Sequence, residues 1–160
     1  MTKIKMIMFD VDGTLTDGKI NMSANGELFK SFNVKDGYRI IELSKHGIIP
    51  AIITGRRSEI VERRAKELKI EEIYQNISNK IEIYELLREK YGLEDAEIAY
   101  MGDDLNDLDC IKKCGLAGCP SDAVEELKDY CDFVATRRGG DGAAREFLDR
   151  IIAQNSVVGN

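Results

Sequence analysis

Asp10 and Asp12 stand one residue apart at the end of the apolar run Met6-Ile7-Met8-Phe9, followed at once by Gly13 and Thr14. Two carboxylates placed this way suit two jobs, one attacking an electrophile and the other giving and taking a proton. A bare Asp-x-Asp is also an ordinary Asx turn. Further on, Ile52-Ile53-Thr54-Gly55-Arg56 ends another apolar run in a small hydroxyl residue and a glycine. A hydroxyl and free backbone N–H groups there can hold an oxyanion. Lys80 precedes a helix-period stretch and, read alone, is an exposed lysine. Gly102-Asp103-Asp104-Leu105-Asn106-Asp107 follows the apolar run Ile98 to Met101 and crowds its acids together. Acids are welcome in a solvated first helical turn. Crowded at a strand tip, they call instead for a hard divalent cation with oxygen ligands, for which Mg²⁺ is the common choice.

To act together, these residues need a scaffold that brings them to one rim. Short, nearly continuous apolar runs predict strands over Lys5 to Phe9, Ile48 to Ile53, Ile73 to Gln75, Ile98 to Met101, Gly115 to Gly118 and Phe133 to Ala135. Such runs fit strands covered on both faces. Between them lie helix-period segments. Asp36 is the expected cap of a helix carrying Ile40, Ile41 and Leu43 and ended by Gly47. Ser58 is the expected cap of the next, with Ile60, Val61, Ala65 and Leu68 facing the core. Ile83, Leu86 and Leu87 mark a third, and Leu105 to Lys113, Asp122 to Lys128 and Ala143 to Ile152 complete the set. Alternating β and α elements imply an α/β fold with a doubly wound, mainly parallel sheet, whose strand tips form the ligand crevice. Ile20 to Phe32 breaks the alternation and reads as a β-hairpin turning at Asn25-Gly26.

At 160 residues the chain is one domain's worth of protein. Its formal charge of −6 makes it a poor ligand for nucleic acid or an anionic membrane. No apolar stretch approaches the length of a membrane span, and Asp10 interrupts the N-terminal apolar run, so a cytoplasmic location is expected. Cys110, Cys114, Cys119 and Cys131 are expected to be free thiols, since the single histidine, His46, lies far from them in sequence.

Taken jointly, the order Asp-x-Asp, Thr, Lys, Gly-Asp-Asp-x-x-Asp resembles the four-motif pattern of the haloacid-dehalogenase-like phosphohydrolases over essentially the whole chain. The segments DVDGTLTDG from Asp10, FNVKDG from Phe32, AIITGR from Ala51, IVERRA from Ile60, GDDLND from Gly102 and GGDGAARE from Gly139 look like the capless subfamily. Its type member is 3-deoxy-D-manno-octulosonate 8-phosphate phosphatase. Asn79 stands where an aspartate usually precedes the motif lysine, and Arg39 and Asn76 stand where glycine is common.

The resemblance implies a Rossmann-like core in a single domain over 1–160, with a hairpin flap at about 19–33, a C-terminal tail from about 137 and no cap domain. It implies a Mg²⁺-dependent phosphatase for a keto-deoxy sugar acid phosphate, acting through an aspartyl-phosphate. Asp10 would be the nucleophile and Asp12 the proton carrier. Asp10, Asp12 (through its carbonyl) and Asp103 would be the metal ligands. Thr54, Gly55 and Lys80 would hold phosphate, and Arg56 and Arg64 would be candidates for the sugar carboxylate. Asp104 and Asp107 would tune the metal's surroundings or orient Lys80. It further implies a homotetramer in which hairpins and tails close neighbouring sites, with Arg137, Arg138, Gly139, Gly140 and Gly142 as a flexible basic segment. Three other readings remain at this point: a phosphoryl-receiver domain, a non-catalytic oligomerisation module, and a phosphatase for a nine-carbon keto-acid sugar 9-phosphate.

Overall fold

The computed structural model describes residues 1–159. Six parallel strands form the central sheet in the order β5-β4-β1-β6-β7-β8. They are β1 (Met6–Phe9), β4 (Ile49–Ile53), β5 (Glu72–Tyr74), β6 (Ile98–Met101), β7 (Leu116–Cys119) and β8 (Phe133–Val134). Each predicted strand is present, with its bounds shifted by at most one residue at an end. Successive side chains of a strand point to opposite faces, and the two cores divide accordingly. Ile7, Phe9, Ile52, Ala99 and Met101 pack with Ile40, Val61, Ala65, Phe147 and Ile151 on one face. Met6, Met8, Ala51, Ile53, Ile98 and Tyr100 pack with Tyr84, Leu87, Ile111 and Leu127 on the other. Burial on both sides is the reason β1, β4 and β6 are apolar along their length, whereas the edge strand β5 begins with Glu72.

The helices are α1 (Val34–Glu42), α2 (Glu59–Glu67), α3 (Lys80–Lys90), α4 (Leu108–Lys113), α5 (Glu125–Lys128) and α6 (Ala143–Val158). Ser58 caps α2 as expected, its side chain accepting from the Val61 N–H. For α1 the expected cap is corrected. Asn33 takes that place, accepting from the N–H groups of Lys35 and Asp36. Asp36 lies in the first turn of α1 and serves another helix, its Oδ1 accepting from the Arg145 N–H of α6 at 2.9 Å. The helix expected from Asp122 begins only at Glu125, and the terminal one runs on to Val158.

The hairpin pairs β2 (Asn21–Ser23) with β3 (Gly26–Phe29) outside the main sheet. Its turn falls at Ala24 and Asn25, one residue before the expected pair, because Ser23 lies opposite Gly26. The C-terminal region is not a free tail. α6 buries Ala143, Ala144, Phe147, Leu148 and Ile151 in the core. The segment before it is also tied to its own chain, contrary to the expected flexible arm. Gly139 N donates to Asp122 Oδ1 at 2.9 Å, and Gly140 N donates to the Thr14 carbonyl at 3.3 Å. The four cysteines are free, and no helix among the described residues is long and apolar enough to cross a membrane.

Candidate active site

β1 lies between β4 and β6, with Phe9 level with Ile52 on one side and Met101 on the other. The chain winds outward through β4 and β5, then returns across β1 to β6, β7 and β8. A crevice opens at such a reversal, beyond the carboxyl ends of the strands. That register sets Asp10 beside Gly102, with Thr54 one residue beyond it on the other side. Asp10, Asp12, Thr54, Gly55, Arg56, Asp103, Asp104 and Asn106 line a cavity of about 160 Å³ there. Larger hollows of about 490 Å³ beside α1 and α6, and about 360 Å³ beside Glu72 and Tyr91, lie away from this convergence of acids.

Asp10 is 6% exposed and Lys80 3%. Lys80 Nζ donates to Asp10 Oδ1 at 2.9 Å and to Asp107 Oδ1 at 2.8 Å. Burial would lower the Lys80 pKa, but the two carboxylates raise it above the ordinary value and keep the ammonium charged. Burial and the nearby Asp107 raise the Asp10 pKa, against the pull of Lys80.

Asp107 is fully buried and saturated. Its Oδ1 also accepts from Tyr100 Oη at 2.7 Å, while its Oδ2 accepts from the Asp103 N–H at 3.0 Å and the Asp104 N–H at 3.3 Å. It therefore fixes both Lys80 and the loop that carries Asp103. Asp104 accepts from the Leu105 N–H as the cap of the turn that follows.

Asp103 is the unbalanced member. Burial, its hydrogen bond with Asp10 and the charges of Asp10 and Asp107 push its carboxyl from 3.8 up to about 9. Carboxylate oxygens of Asp10, Asp103 and Asp107 lie within 4.8 Å of one another, and Lys80 is the cation among them. Three carboxylates against one ammonium leave two negative charges in excess; a proton on Asp103 offsets one of them, and a hard divalent cation can take its place. Asp107 has its oxygens engaged, so Asp10 and Asp103 are the side chains that fit a cation. Gly13 makes the approach possible: it has φ +89°, and a Cβ there would lie 2.0 Å from Asp103 Oδ2.

Comparison with known proteins agrees with this geometry. The family model for haloacid dehalogenase-like hydrolases matches residues 68–147. The 3-deoxy-D-manno-octulosonate 8-phosphate phosphatase KdsC of Escherichia coli strain K12 is 42% identical over 149 residues, which is 93% of this chain and 79% of that protein. The chain belongs to the haloacid dehalogenase-like hydrolases. Among solved structures, the phosphatase of the same name from Yersinia pestis superposes on this hydrolase with a TM-score of 0.93 at 38% identity, covering 98% of this chain and 85% of the other. That from Moraxella catarrhalis, in complex with magnesium, phosphate and KDO, gives 0.92 at 40% identity, covering 96% and 88%.

The hydrolase brings all but one of the expected site residues to the crevice or directly against it. Arg64 is the exception and is corrected. Its guanidinium lies over the Phe32 ring at 5.5 Å and beneath α1, where a Cβ on Gly37 would come within 2.4 Å of it. Arg64 extends from the middle of α2 toward α1, whereas Arg56 precedes α2 and reaches the crevice. Three contacts escaped the sequence reading. Thr14 Oγ1 donates to Asp103 Oδ1 at 3.0 Å, Tyr100 donates to Asp107, and Lys30 Nζ donates to Asp12 Oδ1 at 2.6 Å. A hydroxyl after Asp-x-Asp-Gly was a usable signal for Thr14. No spacing rule links a hairpin lysine to Asp12.

Proposed function

We propose that this hydrolase is a magnesium-dependent phosphatase for 3-deoxy-D-manno-octulosonate 8-phosphate. The single observation that carries the chemistry is the Asp10–Lys80–Asp107 bridge beside Asp103 at the mouth of the crevice. The substrate rests on relatives that carry this name over most of the chain. Asp10 attacks phosphorus in line, forming an O–P bond as the bond to the sugar oxygen breaks. Asp12 gives its proton to the departing alcohol. Asp12 then takes a proton from water, whose oxygen attacks phosphorus and releases Asp10 and inorganic phosphate. Asp10, the Asp12 carbonyl and Asp103 would hold Mg²⁺, whose charge offsets the repulsion between Asp10 and a phosphate dianion. Thr54 and the Gly55 backbone take phosphate oxygens, Lys80 neutralises nucleophile and phosphate together, and Arg56 faces the sugar carboxylate, which a guanidinium can bind in a fork.

The test is phosphate release from a panel of sugar phosphates, with and without EDTA. The eight-carbon keto-acid 8-phosphate is expected to lead, and EDTA and Asp10→Asn are each expected to stop turnover. A lead by the nine-carbon 9-phosphate would move the substrate assignment. Turnover by Asp10→Asn would end the mechanism. We further propose that the chain works in the cytoplasm as one domain and as a homotetramer. Ile20, Met22, Leu28 and Phe29 leave the hairpin more than half exposed, at 55%, 67%, 59% and 52%, which is apolar surface suited to a neighbour. Light scattering showing a fully active monomer would refute the assembly.

A further inference from the structure

Lys30 is the least expected partner in the crevice. It follows β3 on a hairpin whose neighbouring Leu28 and Phe29 are exposed, yet its own side chain is 5% exposed. A lysine is rarely hidden this way unless paired. Its ammonium donates to Asp12 Oδ1 at 2.6 Å and approaches Glu27 Oε1 at 2.9 Å. Glu27 Oε2 in turn accepts from Ser58 Oγ at 2.5 Å, and Ser58 is the cap of α2. A run of charge-assisted contacts therefore joins the loop after β1, the returning arm of the hairpin and the start of α2. Burial would lower the Lys30 pKa, but the bonds to Asp12 and Glu27 raise it above the ordinary value, so the ammonium persists as a donor.

Asp12 sits on a loop, with its side chain 23% exposed. A carboxylate there has several rotamers open to it, and proton transfer needs one of them. We propose that Lys30 is a positioning residue for Asp12, engaging Oδ1 so that Oδ2 is presented to the leaving-group oxygen. This rests on the reading of Asp12 as the proton carrier. The hairpin then has a role within its own subunit, holding the acid at a fixed angle while Glu27 and Ser58 brace the lysine from behind.

The test compares Lys30→Met, Lys30→Arg and Asp12→Asn on two substrates, the sugar acid phosphate and 4-nitrophenyl phosphate, whose phenolate leaves with little need of a proton. Misplacing an acid by about 1 Å is worth up to about a hundredfold, so Lys30→Met is expected to lose about ten- to a hundredfold in kcat/KM on the sugar phosphate, which covers the steps through departure of the alcohol. Its kcat/KM on the aryl phosphate should move by less than about threefold, since that phenolate leaves without the proton; hydrolysis of the aspartyl-phosphate, where Asp12 acts again, is common to both substrates and does not enter kcat/KM. Lys30→Arg should recover most of the loss. Equal losses in kcat/KM on both substrates would assign Lys30 a merely structural role and overturn the proposal, as would an undiminished kcat/KM on the sugar phosphate. Full sugar-phosphate turnover by Asp12→Asn would overturn the assignment of Asp12 and the proposal with it. An inactive Asp12→Asn beside an unaffected Lys30→Met overturns the proposal alone.

Discussion

Replacing Asp103 with asparagine should stabilise the cation-free protein while removing its response to magnesium. The Asp103 carboxyl is pushed from 3.8 up to about 9, first by burial and then by Asp10 and Asp107. At neutral pH the folded protein therefore holds a proton that the unfolded chain has released. Over about three pH units that difference costs about 4 kcal/mol. An amide of the same shape does not titrate. After allowing for a weakened bond from Thr14 Oγ1, the variant should be about 2–3 kcal/mol more stable in EDTA at neutral pH. The sign with pH follows from the same shift. The penalty is absent below 3.8, grows as pH rises, and is complete near 9. Asp10 and Asp36, both raised chiefly by burial, add slopes of the same sign. Glu72 titrates below this window. Burial would raise it, but the bonds from Lys90, Tyr91 and Tyr74 lower it from 4.5. Urea unfolding in EDTA between about pH 5 and about pH 8 should show the wild type losing stability with a steeper slope than Asp103→Asn. Saturating Mg²⁺ should then stabilise the wild type by about 3 kcal/mol at a hundredfold excess over its Kd and leave the variant unmoved. A wild type that gains stability with pH in EDTA, or a variant less stable than it at neutral pH, refutes the reasoning.

Lys80→Met leaves Asp10 and Asp107 buried without their cation, and removing one partner of such a set costs about 3–5 kcal/mol. Urea unfolding should show that loss and phosphate release should stop; a variant as stable as the wild type would contradict the pairing. Gly139→Ala would place a Cβ 2.0 Å from the Gly13 carbonyl oxygen. It should displace the loop beneath Asp12 and lower kcat, with a drop in melting temperature read by calorimetry. Asn155 bonds both the N–H and the carbonyl of Ile4, at 2.8 and 2.7 Å. Asn155→Ala should therefore cost about 1–3 kcal/mol while leaving kcat unchanged, since this contact lies at the entry to β1, away from the crevice.

Much of this molecule was legible in the order of its residues, because the signals concerned are local. A strand covered on both faces is nearly continuous in apolar character, so short apolar runs placed the strands of the sheet before their partners were known. Chain reversals at strand tips need small residues, so Asp10, Thr54 and Asp103 could each be assigned to the end of a strand. Parallel register then brings such ends to within one residue of level, and their gathering in one cavity follows.

Long side chains were another matter, since their partners come from remote elements. Asp36 looked like the cap of its own helix, yet it serves a residue 109 positions away. Arg64 resembled a crevice residue but lies over Phe32 beneath α1. Lys30, eighteen positions beyond Asp12, meets it only because the hairpin folds back over the loop. Periodicity and turn chemistry constrain the backbone within a few residues. Where a charged group finds its counter-charge depends on packing angles between elements, and those are set by contacts across the whole core.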